Sequence, residues 1–120
     1  MTCLLFYVTL RFCSLIIFIA VGTPPKDDGD ADLTAIENVS RIIAESMTSY
    51  KIIVEKSTVP VETGQWIEHT IRINLKKGIP FDIASNPEFL REGTAIHDFL
   101  NPDRIVIGVS SKKAKDLLLD

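Results

Sequence analysis

Continuous apolar runs alternate with amphipathic segments along the chain. The apolar runs are rich in branched residues, which is typical of strands buried on both faces of a parallel sheet. The predicted strands are Leu15–Val21, Tyr50–Glu55, Phe81–Ser85 and Arg104–Gly108. Between the strands, apolar residues recur at helical spacing. The predicted helices start at Asp32, at Pro60, at Asn86–Pro87 and at Ser110. This order of elements predicts right-handed βαβ units and an α/β fold built on a parallel sheet.

Length, composition and charge exclude several classes of protein. The chain has 120 residues, with 46% hydrophobic and 24% charged residues, as expected for one globular domain at most. A net charge of −3 gives no electrostatic support for nucleic-acid binding. Cys3 and Cys13 have no further Cys or His at metal-ligand spacing. We therefore expect no metal site and reduced thiols in a cytoplasmic protein.

The first 21 residues are strongly apolar and raise the question of a targeting segment or membrane anchor. No Lys or Arg precedes the apolar stretch, unlike a signal peptide. Arg11 divides it into two pieces, each shorter than the ~20 residues that a spanning helix needs. We expect no membrane association. A membrane-anchored protein stays as a further hypothesis, which would require the chain to partition with membranes.

Polar and small residues follow the predicted strands. Gly22 and Thr23 follow the first, Ser57 and Thr58 the second, and the Glu88/Glu92 pair the third. In a parallel sheet these loops lie at one edge, where open α/β sheets bind their ligands. Each feature also has a plainer interpretation: a strand-ending turn, helix capping by Ser57 or Thr58, and an exposed acidic helix start. For Glu88 to act as a general base, its pKa would have to be raised against the opposing effect of a helix N-terminus.

Four segments carry a resemblance to a known family. They are Phe18–Pro24 (FIAVGTP), Lys56–Val61 (KSTVPV), Ser85–Gly93 (SNPEFLREG) and Asn101–Arg104 (NPDR). In this order and at these separations they resemble the UDP-glucose/GDP-mannose dehydrogenase family, over about residues 16–120. The resemblance implies an α/β fold, a partial Rossmann-type doubly wound parallel sheet of about four strands. Residues 16–120 would be part of the NAD-binding domain, after a divergent apolar segment at 1–15.

The resemblance also implies an activity and a role for each matching residue. The family oxidises the sugar C6 alcohol to a carboxylate with two NAD⁺, here UDP-glucose to UDP-glucuronate, through a thioester on an active-site Cys. The whole protein would be a homodimer or larger. Glu88 would be the general acid/base, and Thr58 would position the catalytic water. The NAD site would include Val21, Gly22, Thr23, Pro24, Pro25, Ser57, Thr58, Val59 and Glu92. The nucleotide sugar would contact Glu88, Phe89, Leu90, Arg91 and Glu92.

The chain also departs from the family pattern. It has no G-x-G-x-x-G fingerprint, and neither Cys3 nor Cys13 matches the catalytic Cys. We therefore expect the second half of an NAD-binding domain that has no dehydrogenase turnover by itself. The alternative is a non-catalytic nucleotide-binding module with the same fold. UDP-glucose, UDP-N-acetyl sugars and GDP-mannose all stay open as substrates.

Overall fold

A computed structural model of the chain describes residues 14–57, 59–60, 62–76, 78–87, 89–90 and 93–119. Within this part, strands and helices alternate. The strands are β1 (Ile16–Ile19), β2 (Lys51–Glu55), β3 (Phe81–Ser85) and β4 (Gly108–Val109). The helices are α1 (Thr34–Ser46), α2 (Thr63–Asn74), α3 (Ala95–Leu100) and α4 (Lys112–Leu119). No helix among the described residues is both long enough and apolar enough to cross a membrane.

The described strands form one sheet in the order β1-β2-β3-β4. β1, β2 and β3 are parallel, with Ile53 of β2 opposite both Ile17 of β1 and Ile83 of β3. The predicted parallel α/β sheet is confirmed for these strands. Their carboxyl ends consequently lie at one edge of the sheet.

The prediction of a parallel fourth strand over Arg104–Gly108 is wrong in direction and extent. β4 runs antiparallel to β3 and pairs only through Gly108 and Val109. A parallel strand would have to start at the opposite edge of the sheet. The connection instead returns the chain to the edge at which β3 ends, because Gly108 pairs with Ser85, the last residue of β3. β4 therefore runs back along β3.

Both faces of β2 are buried, which explains its continuous apolar sequence. On one face, α1 and α2 cover the sheet. Buried side chains on that face are Ile17, Ile19, Ile36, Ile43, Ala44, Met47, Ile53, Ile67 and Ile71. On the other face, Ala114 of α4 packs against Ile52, Val54 and Ala84. Each fully buried Ile contributes roughly 1.5–3 kcal/mol, so these layers hold the strand ends in place.

All four described helices begin later than the sequence predicts, the last at Lys112 rather than at Ser110. α1 begins at Thr34, and the Asp32 carboxylate accepts a hydrogen bond from the Thr34 N–H at 2.9 Å. Hydrogen bonds from the hydroxyl and N–H of Thr34 lower the pKa of Asp32. α2 begins at Thr63 rather than at Pro60, and the Thr63 N–H donates a hydrogen bond to the Pro60 carbonyl at 3.0 Å just before the helix. The predicted helix at Asn86–Pro87 is wrong, since the short helix of this region begins at Ala95.

Candidate functional site

The loops that leave β1 and β2 are joined by a serine hydroxyl. The Lys56 N–H donates to the Ile19 carbonyl at 2.9 Å, which extends the ladder beyond β2. The Ser57 hydroxyl donates to the Val21 carbonyl at 2.8 Å and accepts from the Val21 N–H at 3.2 Å. We call this pair of contacts the Ser57 brace. The brace takes the place of the next backbone hydrogen bonds between the two segments, and it fixes the backbone just beyond the end of β1.

Beyond the brace, the loop after β1 presents an open surface. No described atom lies within 4 Å of the position that a Cβ at Gly22 would occupy. The loop then turns back on itself, because the Pro24 carbonyl accepts from the Asp32 N–H at 2.8 Å and Pro25 pairs with Ala31. The backbone around Gly22 is therefore held from both sides while its outer surface stays accessible. Such an arrangement lets a ligand approach the main chain closely.

The loop that leaves β3 meets the same edge through Asn86. Its N–H donates to the Glu55 carbonyl at 2.8 Å, so the ladder also continues past β3. Its side-chain carbonyl accepts from Lys56 Nζ at 3.5 Å, and its side-chain amide donates to the Val106 carbonyl at 2.9 Å. The loops that leave β1, β2 and β3, which we call the exit loops, thus meet at one edge of the sheet. The predicted convergence is observed for the described residues of these loops. Asn86 links three parts of the chain rather than capping a helix.

A cleft opens beside Asn86, on the sheet face that carries Phe18. Aromatic rings and charged groups line it together. The lining residues are Phe18, Lys56, Asn86, Pro87, Phe89, Leu90, His97, Asp98, Phe99, Asn101, Pro102, Asp103, Arg104 and Ile105. Phe18 and Phe89 are 46% and 57% exposed, so both rings are accessible in the cleft. A concave surface that combines apolar side chains with convergent polar groups is typical of small-molecule sites.

Sequence reasoning missed Glu55, the last residue of β2. The residue is only 4% exposed, and its Oε1 has no hydrogen-bond partner among the described residues. Burial raises the pKa of Glu55 to about 7, and the Ser57 N–H partly opposes this effect. The available signal was a carboxylate ending an otherwise apolar strand, two positions before Ser57. Glu55 is thus a buried group at this edge that titrates near neutral pH.

The predicted site residues divide into two groups. Thr58, Glu88, Arg91 and Glu92 lie outside the described residues, so their roles stay predictions. Of the others, Val21 and Ser57 meet in the brace, Val59 packs against the core under α1 and α2, and Phe89 and Leu90 line the cleft. The alternative that Ser57 caps α2 is not supported, because its hydroxyl bonds to Val21. Among the described residues, no three His, Cys, Asp or Glu side chains cluster as metal ligands.

Comparison with known proteins gives consistent matches. Residues 9–120 match the model of the UDP-glucose/GDP-mannose dehydrogenase family, NAD binding domain. The chain is 50% identical to UDP-glucose 6-dehydrogenase TuaD of Bacillus subtilis over 103 residues, which cover 86% of this chain and 22% of the relative. It is 55% identical to UDP-glucose 6-dehydrogenase of Drosophila melanogaster over 98 residues, which cover 78% of this chain and 21% of the relative. The chain thus spans about a fifth of the length of these relatives.

The fold is also similar to a solved structure. A UDP-glucose dehydrogenase from the hyperthermophilic archaeon Pyrobaculum islandicum superposes with a TM-score of 0.83 and 42% sequence identity. The superposition covers 91% of this chain and 26% of that protein. The expected partial Rossmann-type sheet is confirmed, with β4 as its antiparallel departure.

Proposed function

The chain belongs to the UDP-glucose/GDP-mannose dehydrogenase family, and we infer that it forms part of the active site of an NAD-dependent UDP-glucose 6-dehydrogenase. The domain that it matches is the family's NAD binding domain, so NAD is its cofactor. The whole protein would oxidise UDP-glucose to UDP-glucuronate with two NAD⁺. The observation that carries this proposal is the convergence of the Val21, Ser57 and Asn86 loops at one sheet edge.

The rim formed by the loop after β1, around Gly22, suits a dinucleotide. The main chain is held there by the Ser57 brace, and its outer surface has room for a ligand at Gly22. We propose that Val21–Pro25, Ser57 and Val59 contact NAD, with Thr58 and Glu92 completing this side. NAD⁺ held by these residues would supply the acceptor for the hydride that leaves the sugar carbon. The residues of this chain would orient the two partners relative to each other.

The cleft beside Asn86 suits a nucleotide sugar. Lys56 and Arg104 bring positive charge to its wall, which also carries the carboxylates of Asp98 and Asp103, and Phe18 and Phe89 bring ring faces. Anionic phosphates and a base or sugar ring match these groups chemically. We propose that Phe89 and Leu90, with Glu88, Arg91 and Glu92, contact the sugar nucleotide. Glu88 would move the proton of the reacting hydroxyl, and Thr58 would hold the water that releases the product.

Two further proposals concern the location and the assembly of the whole protein. The thiol interpretation of Cys3 and Cys13 supports a cytoplasmic enzyme. The family resemblance supports a homodimer or larger assembly of the whole protein.

Ligand titrations of the purified 120-residue chain, followed by amide NMR, test the proposal. NAD should shift the amides of Val21, Gly22, Thr23 and Ser57, and UDP-glucose should shift those of Phe89 and Leu90. The variant Gly22→Val is the sharper test, because Gly22 lies outside the left-handed backbone region and its side-chain space is open. We expect unchanged stability and an NAD affinity weakened by about tenfold or more, or about 1.4 kcal/mol.

UDP-glucose affinity is the internal control for this variant. It should stay within about twofold of the wild-type value, because Phe89 and Leu90 belong to a different loop. NAD shifts confined to residues away from the rim would refute the assignment of the cofactor site. An unchanged NAD affinity in a folded Gly22→Val chain would refute it as well.

A further inference from the structure

The segment Asn101–Ile107 connects α3 to β4, and the proposed function uses only its contribution to the cleft wall. Its first residues, Asn101–Arg104, form the NPDR motif, to which the sequence alone assigns no role. The segment contains no regular secondary structure, and residues 101–106 are exposed. Its conformation must therefore be supported by contacts other than a helix or a sheet.

Two such contacts attach the segment to the loop that leaves β3. The Val106 carbonyl accepts a hydrogen bond from the Asn86 side-chain amide at 2.9 Å. The Arg104 guanidinium lies over the ring of Phe89, 5.4 Å from its centroid. One contact holds the beginning of the loop and the other holds the middle. Because Phe89 is 57% exposed, its position is not fixed by burial in the core.

We propose that Arg104 and Val106 act as a support that sets the conformation of the loop leaving β3, and thereby positions Phe89 and Leu90 for the nucleotide sugar. The second part of this statement rests on the proposed function. Arg104 is in this sense a positioning residue that acts through Phe89. Lys56 assists from the opposite side, because its ammonium group donates to the other end of the Asn86 amide.

The charge of Arg104 and the ring of Phe89 both contribute to the support. A cation over an aromatic face at an exposed site changes an equilibrium by about two- to fivefold. The planar guanidinium also stacks on the ring, so a lysine at this position would retain the charge and only part of the contact. This difference separates a specific contact from a general effect of positive charge on an anionic ligand.

NMR of the full 120-residue chain tests the support directly. In the wild type, the Arg104 Nε–H proton should be shifted upfield by the ring current of Phe89, and Phe89→Leu should abolish that shift. In Arg104→Gln, the order parameters of the Phe89 and Leu90 amides should fall. UDP-glucose should bind about two- to fivefold more weakly, while NAD affinity is unchanged. Arg104→Lys should restore part of both effects.

Arg72→Gln is the matched control. Arg72 lies over the ring of Phe81 at 5.1 Å, at the beginning of β3 and hence at the opposite edge of the sheet. It should leave the order parameters at Phe89 and Leu90 and both ligand affinities unchanged. Unchanged order parameters at Phe89 and Leu90 in a folded Arg104→Gln chain would overturn the inference, whatever happens to affinity. If the wild-type chain does not bind UDP-glucose, the proposed function fails, and the order parameters alone decide whether the support exists.

Discussion

Removing the Ser57 hydroxyl should loosen the contact between the loops that leave β1 and β2. Ser57→Ala eliminates one hydrogen bond donated to Val21 and one accepted from it. Each such bond contributes about 0.5–1.5 kcal/mol net. The site is half-buried, so water can replace part of the loss, and we expect a decrease of about 1–2 kcal/mol in the free energy of unfolding. The NAD affinity should also fall, because the backbone beside Gly22 loses its support.

Urea denaturation followed by Trp66 fluorescence measures this effect, since Trp66 is the chain's single tryptophan and lies on α2. Ser49→Ala is the matched control: it deletes an exposed hydroxyl and should change stability by less than about 0.5 kcal/mol. Ser57→Thr should retain most of the stability, because it keeps the hydroxyl. Equal stabilities of Ser57→Ala and Ser49→Ala would refute the brace. Wild-type stability with weakened NAD binding would instead indicate a direct contact between Ser57 and the cofactor.

Three further predictions concern other parts of the fold. Because burial raises the pKa of Glu55 to about 7 from 4.5, the folded chain retains the proton that the unfolded chain releases between these pH values. Wild-type stability should therefore fall as pH rises from about 4.5 to 7, by on the order of 2–3 kcal/mol. Glu55→Gln should remove this slope in urea titrations at several pH values, and an unchanged slope would contradict the assignment. A Cβ at Gly108 would lie 2.5 Å from Ser85 Oγ, so Ser85→Ala should recover about 1 kcal/mol in the Gly108→Ala background, as measured in a double-mutant cycle. Tyr50→Phe loses a 2.6 Å hydrogen bond to Asp82 and should cost about 1–2 kcal/mol with NAD affinity unchanged, because Tyr50 lies at the opposite edge; a weakened NAD affinity would show that the two edges are coupled.

Hydrophobic pattern was sufficient to predict the parallel part of the sheet. β2 illustrates the reason. Every residue from Lys51 to Glu55 is buried, and the residues at the centre of the strand form an unbroken apolar run. Long amphipathic helices were equally clear, since α1 and α2 each bury one stripe of isoleucines. These features depend on local periodicity, which the sequence records directly.

The direction of β4 could not be predicted in the same way. The apolar residues of this region resemble those of the other strands. The direction of a strand depends on the edge of the sheet to which the preceding connection returns. The sequence placed a helix start at Asn86–Pro87, where the Asn86 side chain is instead occupied by Lys56 and Val106. The local preference of Asn86 for capping a helix was overridden by its contacts to Lys56, which lies 30 positions away in the sequence, and to Val106, which lies 20 positions away. Such contacts exist only once the fold has formed.

The candidate site shows the same division between local and distant information. Convergence of the exit loops followed from the parallel topology and could be predicted. The contacts within the site could not, because Ser57 meets a partner 36 positions away and Glu55 is buried only once the sheet and its covering layers have formed. A serine before a helix suggests capping, and only the structure reveals that its hydroxyl bonds to the end of another strand.

The spatial order of the strands follows their order along the polypeptide. Each described strand therefore finds its neighbour already made when it emerges from the ribosome, and none of the described strands has to be inserted between two earlier ones. In this part of the chain, β2 can add to β1 and α1, and β3 can then add to β2. Sequential assembly of this kind limits the time during which the isoleucine-rich core is exposed to other nascent chains.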